Sequence, residues 1–307
     1  MAETIQADDV VDPLAAGDAE PRADQPELRA PGKRWKRVGF LACLTAGALI
    51  FLFPFYYMIV GALQMEPNPD VSGAFPDPSN LTFDNFVDIN TALNLPRALL
   101  NSGIFTAGVI LGTLVIGLLA GYALAQLEFR GRGFVFSAML IVLIVPFQLL
   151  MIPLYVMIVR WYGLADTHLG MILPFAVNAT AVFVFRQFFM QIPKDVFDAA
   201  RIDGASELQI LMRVAIPISK PALLTAVLVT FIGPWNEFLW PFLITKETDM
   251  QPLAVALANY FSNVAARAAN PFGAILAGAT VLAIPAVVLF LAFQRKFVQA
   301  HLGSSVK

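Results

Sequence analysis

Residues 102–125 read SGIFTAGVILGTLVIGLLAGYALA, a run in which no Asp, Glu, Lys, Arg or His interrupts the apolar and small side chains. As an α-helix, Ser102–Ala125 would be about 36 Å long at ~1.5 Å per residue, enough to cross the ~30 Å hydrocarbon core of a bilayer. Backbone amides and carbonyls have no water partner in lipid, so only helices and closed barrels span it. A barrel strand would be about ten residues long and alternate apolar with polar side chains. This run is too long and too uniform for that. It reads as a membrane-spanning helix, and the pairs Gly108/Gly112 and Gly117/Gly121 put small residues where a neighbouring helix can approach closely.

Five more stretches meet or approach the same length: Val38–Leu63, Phe134–Ile158, Leu169–Phe185, Pro221–Ile244 and Phe272–Phe293. The whole chain agrees with them. Of its 307 residues 58% are apolar and 14% charged, with a mean hydropathy of +0.70, whereas a soluble domain carries about 45–50% apolar and about 25% charged residues. A single Cys43 excludes a disulfide scaffold. The expected fold class is an all-α polytopic membrane protein with six transmembrane helices. Alternating the connections puts 16 Lys and Arg residues on one side, against Arg97, Arg160, Lys246 and Arg267 on the other. By the positive-inside rule both termini are then expected in the cytoplasm.

Residues 1–32 are acidic, with Glu3, Asp8, Asp9, Asp12, Asp18, Glu20, Asp24 and Glu27 among Ala, Pro and Gly. Such a segment buries too little apolar surface to offset ordering entropy and is expected to be a disordered cytoplasmic tail. It does not begin basic and turn apolar as a signal peptide would. Residues 33–97 are expected to hold the first span and an extracytoplasmic excursion, partly helical around Pro67, Pro69, Pro76 and Pro78; residues 98–300 the remaining transmembrane domain; and 301–307 a short tail. Asn80-Leu81-Thr82 matches a glycosylation sequon, a short and common pattern.

Catalysis finds no footing. His168 and His301 fall on opposite sides of the membrane, and one cysteine makes neither a zinc cluster nor a Cys/His pair. Gly32-Lys33 is followed by Arg34 and lacks the upstream glycine of a phosphate-binding loop, so this chain is expected to bind no nucleotide in that way, no cofactor and no metal. The six spans contain one carboxylate, Glu237, and no Lys or Arg. Ion-coupled carriers usually place costly ionisable groups within their spans, so an energy source outside the chain is the favoured expectation, with a stand-alone secondary transporter or channel as the alternative class.

The connection 186–220 is long and locally well specified. After Pro193, suited to a first helical turn, come Lys194, Asp195, Val196, Phe197, Asp198, Ala199, Ala200, Arg201, Ile202, Asp203 and Gly204. The spacing predicts a short helix stopped at Gly204 in a left-handed turn. A second helix opens on a Ser206/Gln209 capping box and ends before Pro217. Two short helices turning on a glycine make a docking element for a cytoplasmic partner.

Asp198-Ala199-Ala200, then three residues to Gly204 and nine more to Val214-Ala215-Ile216-Pro217, resemble the EAA loop, Glu-Ala-Ala-x3-Gly-x9-Ile-x-Leu-Pro, of ABC importer permeases. Asn101-Ser102, Tyr122-Ala123-Leu124-Ala125, Phe129-Arg130-Gly131-Arg132, Pro146, Pro153-Leu154-Tyr155, Trp235–Pro241 and Gln294–Val298 are similar to the sugar-permease branch, and the likeness runs over residues 35–307. The resemblance implies the type I importer permease fold. It also implies pairing with a homologous second permease, most often as a heterodimer. Two ATP-binding subunits that use ATP and Mg, and an extracytoplasmic solute-binding protein, complete such an assembly. Nucleic acid has no place in it. Asp198, Ala199, Ala200, Asp203, Gly204, Val214, Ile216 and Pro217 would couple the chain to the ATPase. Asp in place of Glu shortens that side chain by one methylene, so an ion pair carried by Glu in relatives would be longer or re-aimed here. The cargo would be a carbohydrate, with a phosphorylated polyol as alternative.

Trp235, Asn236 and Glu237, beside Gly233-Pro234 where a kink is expected, are candidates for the cargo path, as are Gln148 and Asn178. Each has a plainer reading: interhelical hydrogen bonding for the amides and the carboxylate, and packing for Trp235 and Trp240. His168 is expected near the outer surface, in water.

Overall fold

A computed structural model describes residues 31–264 and 271–302. The expectations for the tail at residues 1–30, for Arg267 and for residues 303–307 therefore lie outside the described residues. The chain divides into two compact units, Met1–Phe53 and Pro54–Lys307. In the first, the described residues are helical from Pro31, at the start of α1 (Pro31–Ala62). The packing below concerns the second.

Helix α3 (Leu95–Gln126) contains the span 102–125 unbroken. Its start is set by Asn94, which sits in the left-handed region at φ 51°, ends α2 (Asp84–Leu93) and accepts from the Arg97 amide. Around α3 pack α6 (His168–Ala176), α7 (Ala179–Gln191) and α11 (Lys220–Asn236). The glycine pairs explain how closely. A Cβ at Gly112 would stand 2.7 Å from the Ala176 Cβ, and one at Gly121 would stand 2.8 Å from the Phe185 Cβ and 3.0 Å from the Arg186 backbone nitrogen. Only hydrogen fits there.

Three helices are long and apolar enough to cross a membrane alone: Lys36–Ala62, Leu95–Gln126 and Pro271–Gln294, the last within α14 (Pro271–Leu302). The other three expected spans fall on broken helices. The third expected span is α4 (Arg132–Val142) and α5 (Phe147–Tyr155, running on as a π-helix over Val156–Trp161), which meet at 97° just before Pro146. Proline removes a backbone donor and turns the preceding residue away from helix. The fourth breaks by 47° between α6 and α7 at Val177 and Asn178, and the Asn178 side chain accepts from the Ala181 amide. In the fifth, α11 passes through Pro234 and stops at Asn236. The expected kink thus falls at Glu237 and Phe238, before α12 (Leu239–Ile244).

Among the described residues there is no strand, only an isolated bridge between Gln64 and Leu81. The 64–97 excursion is tied to the end of α1: Asn85, buried, donates to the carbonyls of Ala62 (2.9 Å) and Gln64 (2.7 Å), and Gln64 donates to Gly73 O at 2.7 Å. Asn80 uses its side-chain amide on both backbone groups of Glu66. Beyond the excursion, α13 (Leu253–Asn259) packs its buried Leu253 and Ala256 with Ala62, Ile89 and Ala274 in one core cluster.

Candidate functional site

The 186–220 connection folds as two short helices whose inward faces close one of the chain's core clusters. In α8 (Lys194–Ile202), Asp195 lies in the first turn and Arg201 in the last, the placement a helix dipole favours. Phe197 is fully buried, 6.2 Å edge-on from the Tyr122 ring, which in turn lies 5.8 Å from Phe189 of α7. Gly204 takes φ +82°, with open space around its missing Cβ, so conformation and not crowding calls for glycine. The capping box forms as expected: the Ser206 amide donates to Gln209 Oε1 at 2.8 Å and the Gln209 amide donates to Ser206 Oγ at 3.4 Å.

The second helix does not end before Pro217. From α9 (Glu207–Ile210) it continues as a π-helix over Leu211–Ala215 and then α10 (Ile216–Ile218), and it turns by 81° into α11 at Ser219. Pro217 lies within this continuous helical stretch, one residue before it ends at Ile218. Ile210, Leu211 and Ala215 are buried with Phe197 and Tyr122, and Val214 and Ile216 pack against them. The apolar residues of α8 are divided: Phe197 and Ala200 face the chain's own core, while Val196 and Ile202 face out. Ile202 is 86% exposed, Leu208 61% and Met212 58%. Beside these knobs stand the exposed Asp195, Asp198, Ala199, Asp203 and Gly204.

Asp198 pairs within its own helix, accepting from Arg201 Nη1 at 2.9 Å. Arg201 also donates through Nε to Glu207 Oε1 at 2.8 Å and through Nη2 to Glu207 Oε2 at 3.4 Å. The hydroxyl of Tyr122, in the last turns of α3, donates to that same Oε2 at 2.5 Å. The Arg201 hydrogen bonds hold the Glu207 carboxyl below the usual carboxylate range, against the opposing effect of burial. The guanidinium is correspondingly held above its own ordinary value. Sequence reasoning missed Tyr122, Arg201 and Glu207 as a group, since no spacing rule joins residues 122 and 207. Arg186 adds a second tie at this end, lying 4.0 Å over the Phe136 ring while its Nε donates to Leu124 O at 3.2 Å.

The cargo-path candidates lie at or beside helix breaks. Glu237 Oε1 accepts from the amides of Leu239 (3.0 Å) and Trp240 (3.2 Å), capping α12. Asn178 caps α7, and Gln148 is exposed in the first turn of α5. Asn236 is exposed and donates back to Ile232 O at 2.9 Å. Trp235 is buried, stacked 5.4 Å from Phe231, and its indole donates to Leu282 O at 3.0 Å. Trp240 is fully buried and donates to Gly170 O at 3.1 Å. Both indoles are thus used in packing. His168 is half-buried, not in open water, with Nε2 3.2 Å from Asn101 Oδ1. Asn101 donates in turn to the carbonyls of Asp249 (2.8 Å) and Gln251 (3.2 Å). Among the described residues no group of three or more His, Cys, Asp or Glu side chains could hold a metal ion.

Residues 113–302 match the family described as binding-protein-dependent transport system inner membrane component. The chain is 34% identical over 263 residues to the arabinooligosaccharides transport system permease protein AraQ of Halalkalibacterium halodurans, covering 85% of this chain and 92% of the relative. It is 35% identical over 251 residues to the trehalose transport system permease protein SugB of Mycobacterium tuberculosis (80% and 89% covered). It is also 31% identical over 272 residues to the sn-glycerol-3-phosphate transport system permease protein UgpE of Yersinia pestis (85% and 94%). Among solved structures, a chain of a bacterial ABC transporter involved in the import of alginate superposes with a TM-score of 0.74 at 24% identity, over 87% of this chain and 98% of that one.

Proposed function

The chain belongs to the binding-protein-dependent transport system inner membrane component family, and from that premise we propose that it is one permease of an ABC importer that carries a carbohydrate across the cytoplasmic membrane by alternating access. ATP and Mg are used in two separate ATP-binding subunits. A second, homologous permease completes the channel, and an extracytoplasmic binding protein delivers the cargo. The termini and the 186–220 loop face the cytoplasm, a placement that the 16-to-4 distribution of Lys and Arg supports.

The observation that carries this reading is the two-faced loop. Its inner face is locked to the spans through Phe197, Ile210 and Leu211, while Val196, Ile202, Leu208 and Met212 stand in water beside Asp195, Asp198 and Asp203. An apolar surface with an acidic margin suits a helix-in-groove contact with an ATPase. Closure of the ATPase pair then moves the loop and rocks the spans as rigid bodies. The exposed Asp198 carboxylate is available to a cation of the ATPase even while it holds Arg201. The cargo-path assignment of Asn236, Glu237, Gln148 and Asn178 belongs to the same reading: polar groups gather at helix breaks, where irregular backbone inside a membrane must line a cavity or be buried in protein.

The test is co-expression with the candidate second permease, ATPase and binding protein, followed by uptake of labelled arabino-oligosaccharide, trehalose and glycerol 3-phosphate into proteoliposomes. ATPase subunits that co-purify and sugar uptake that requires internal Mg–ATP are expected. Preferred uptake of glycerol 3-phosphate would shift the cargo to a phosphorylated polyol. Uptake by the isolated chain without ATP would replace the importer by a secondary carrier.

A further inference from the structure

The loop is held to the spans in two physically different ways. Apolar packing of Phe197, Ile210 and Leu211 holds the inner face against the spans, but dispersion and hydrophobic contact are non-directional and set no bond angle. The Tyr122–Glu207 hydrogen bond is directional and weakens steeply when its angle or length changes. It is also charge-assisted, which makes such bonds roughly twice as strong as neutral ones. Its acceptor is fixed from the loop side, since both Glu207 oxygens receive from Arg201 and Arg201 is itself braced by Asp198. Its donor is fixed from the membrane side, since the Tyr122 ring is 3% exposed and packed edge-on against both Phe189 and Phe197. The polar ties Gln126 to Phe189 O and Arg186 to Leu124 O join α3 to α7 and do not reach the helices of residues 194–218.

Resting on the importer reading, we propose that Tyr122 is a positioning residue whose hydroxyl, bonded to Glu207, transmits displacement of the 194–218 loop to α3. The ladder Asp198–Arg201–Glu207–Tyr122 begins beside the exposed docking face and ends on the span against which α6, α7 and α11 pack. A push received at α8 therefore arrives at α3 in register. With the hydroxyl removed, the loop still docks and its apolar face still holds, but its displacement no longer passes to α3 through a directional bond.

The experiment compares the full importer carrying Tyr122→Phe, Glu207→Ala or both, reconstituted in proteoliposomes. The readouts are ATPase subunits retained, Mg–ATP hydrolysed, and uptake of whichever labelled arabino-oligosaccharide, trehalose or glycerol 3-phosphate the unaltered complex carries. Each single variant is expected to keep its ATPase subunits and to carry about tenfold less cargo per ATP. The double variant is expected to be no worse than the poorer single, since both changes break one ladder. Cargo per ATP within twofold of the unaltered complex in Tyr122→Phe would overturn the proposal, as would effects that multiply in the double variant. Loss of the ATPase subunits in both singles would make the bond a folding element of the docking loop and overturn it too. An unaltered complex that holds no ATPase would remove the importer reading and this proposal together.

Discussion

Gly204 and Glu237 show how much a single position can decide. At φ +82° an L-residue is strained, by roughly 1–2 kcal/mol, and the turn at Gly204 aims one short helix of the loop at the next. Gly204→Val is expected to insert in the membrane normally but to reduce ATP-driven uptake several-fold, measured in proteoliposomes. Gly204→Asn, whose side chain tolerates the left-handed region, should retain most of it. Equal uptake by the two variants would contradict a role for the backbone conformation. Glu237 holds the first amides of α12, so Glu237→Ala should lower unfolding stability by about 1 kcal/mol, as the loss of a cap does. Glu237→Gln keeps an accepting oxygen and should leave uptake near the unaltered rate. A large fall there would place the charge itself in the cargo path. Glu207 gives a pH expectation with a definite sign. Its folded-state pKa lies below the ordinary carboxylate value, so its contribution is present above about pH 4.5 and is lost as pH falls through the lower folded value. Cargo per ATP should therefore be flat from pH 6 to 8 as far as this group is concerned. A titration in that range that Glu207→Gln abolishes would contradict the assignment.

At the scale of elements, α3 meets α7 closely at Gly121. Gly121→Val would drive a branched side chain into Phe185 and the Arg186 backbone, with a cost of about 1–3 kcal/mol or more. The expected result is a clear drop in the melting temperature of the detergent-solubilised protein, with no comparable drop for Gly103→Val, whose surroundings are open. This packing was legible in the sequence, because small residues at four-residue spacing on an apolar helix have few other uses. The loop's two helices, its left-handed turn and its capping box were legible for the same reason, each resting on residues within four positions of one another. The breaks were harder to place. Pro146 and Pro153 look alike on paper, yet the chain turns at the first and stays helical through the second. Pro234 likewise leaves α11 intact to Asn236, because Glu237 supplies the caps that make a stop two residues later favourable. Local proline rules do not say where capping side chains will lie.

At the scale of the molecule, the fold class followed from hydropathy because a bilayer imposes a length, while the Tyr122–Glu207 link stayed hidden because it depends on how α3 and the loop come together in space. The 81° turn at Ser219 has a mechanical consequence. The arm Glu207–Ile218 is about 18 Å long and the arm Lys220–Asn236 about 26 Å, at ~1.5 Å per residue. With that angle held at the buried Ser219, each ångström through which the short arm's tip swings about the pivot would sweep the far end of the long arm by about 1.4 Å, beside the Glu237 break.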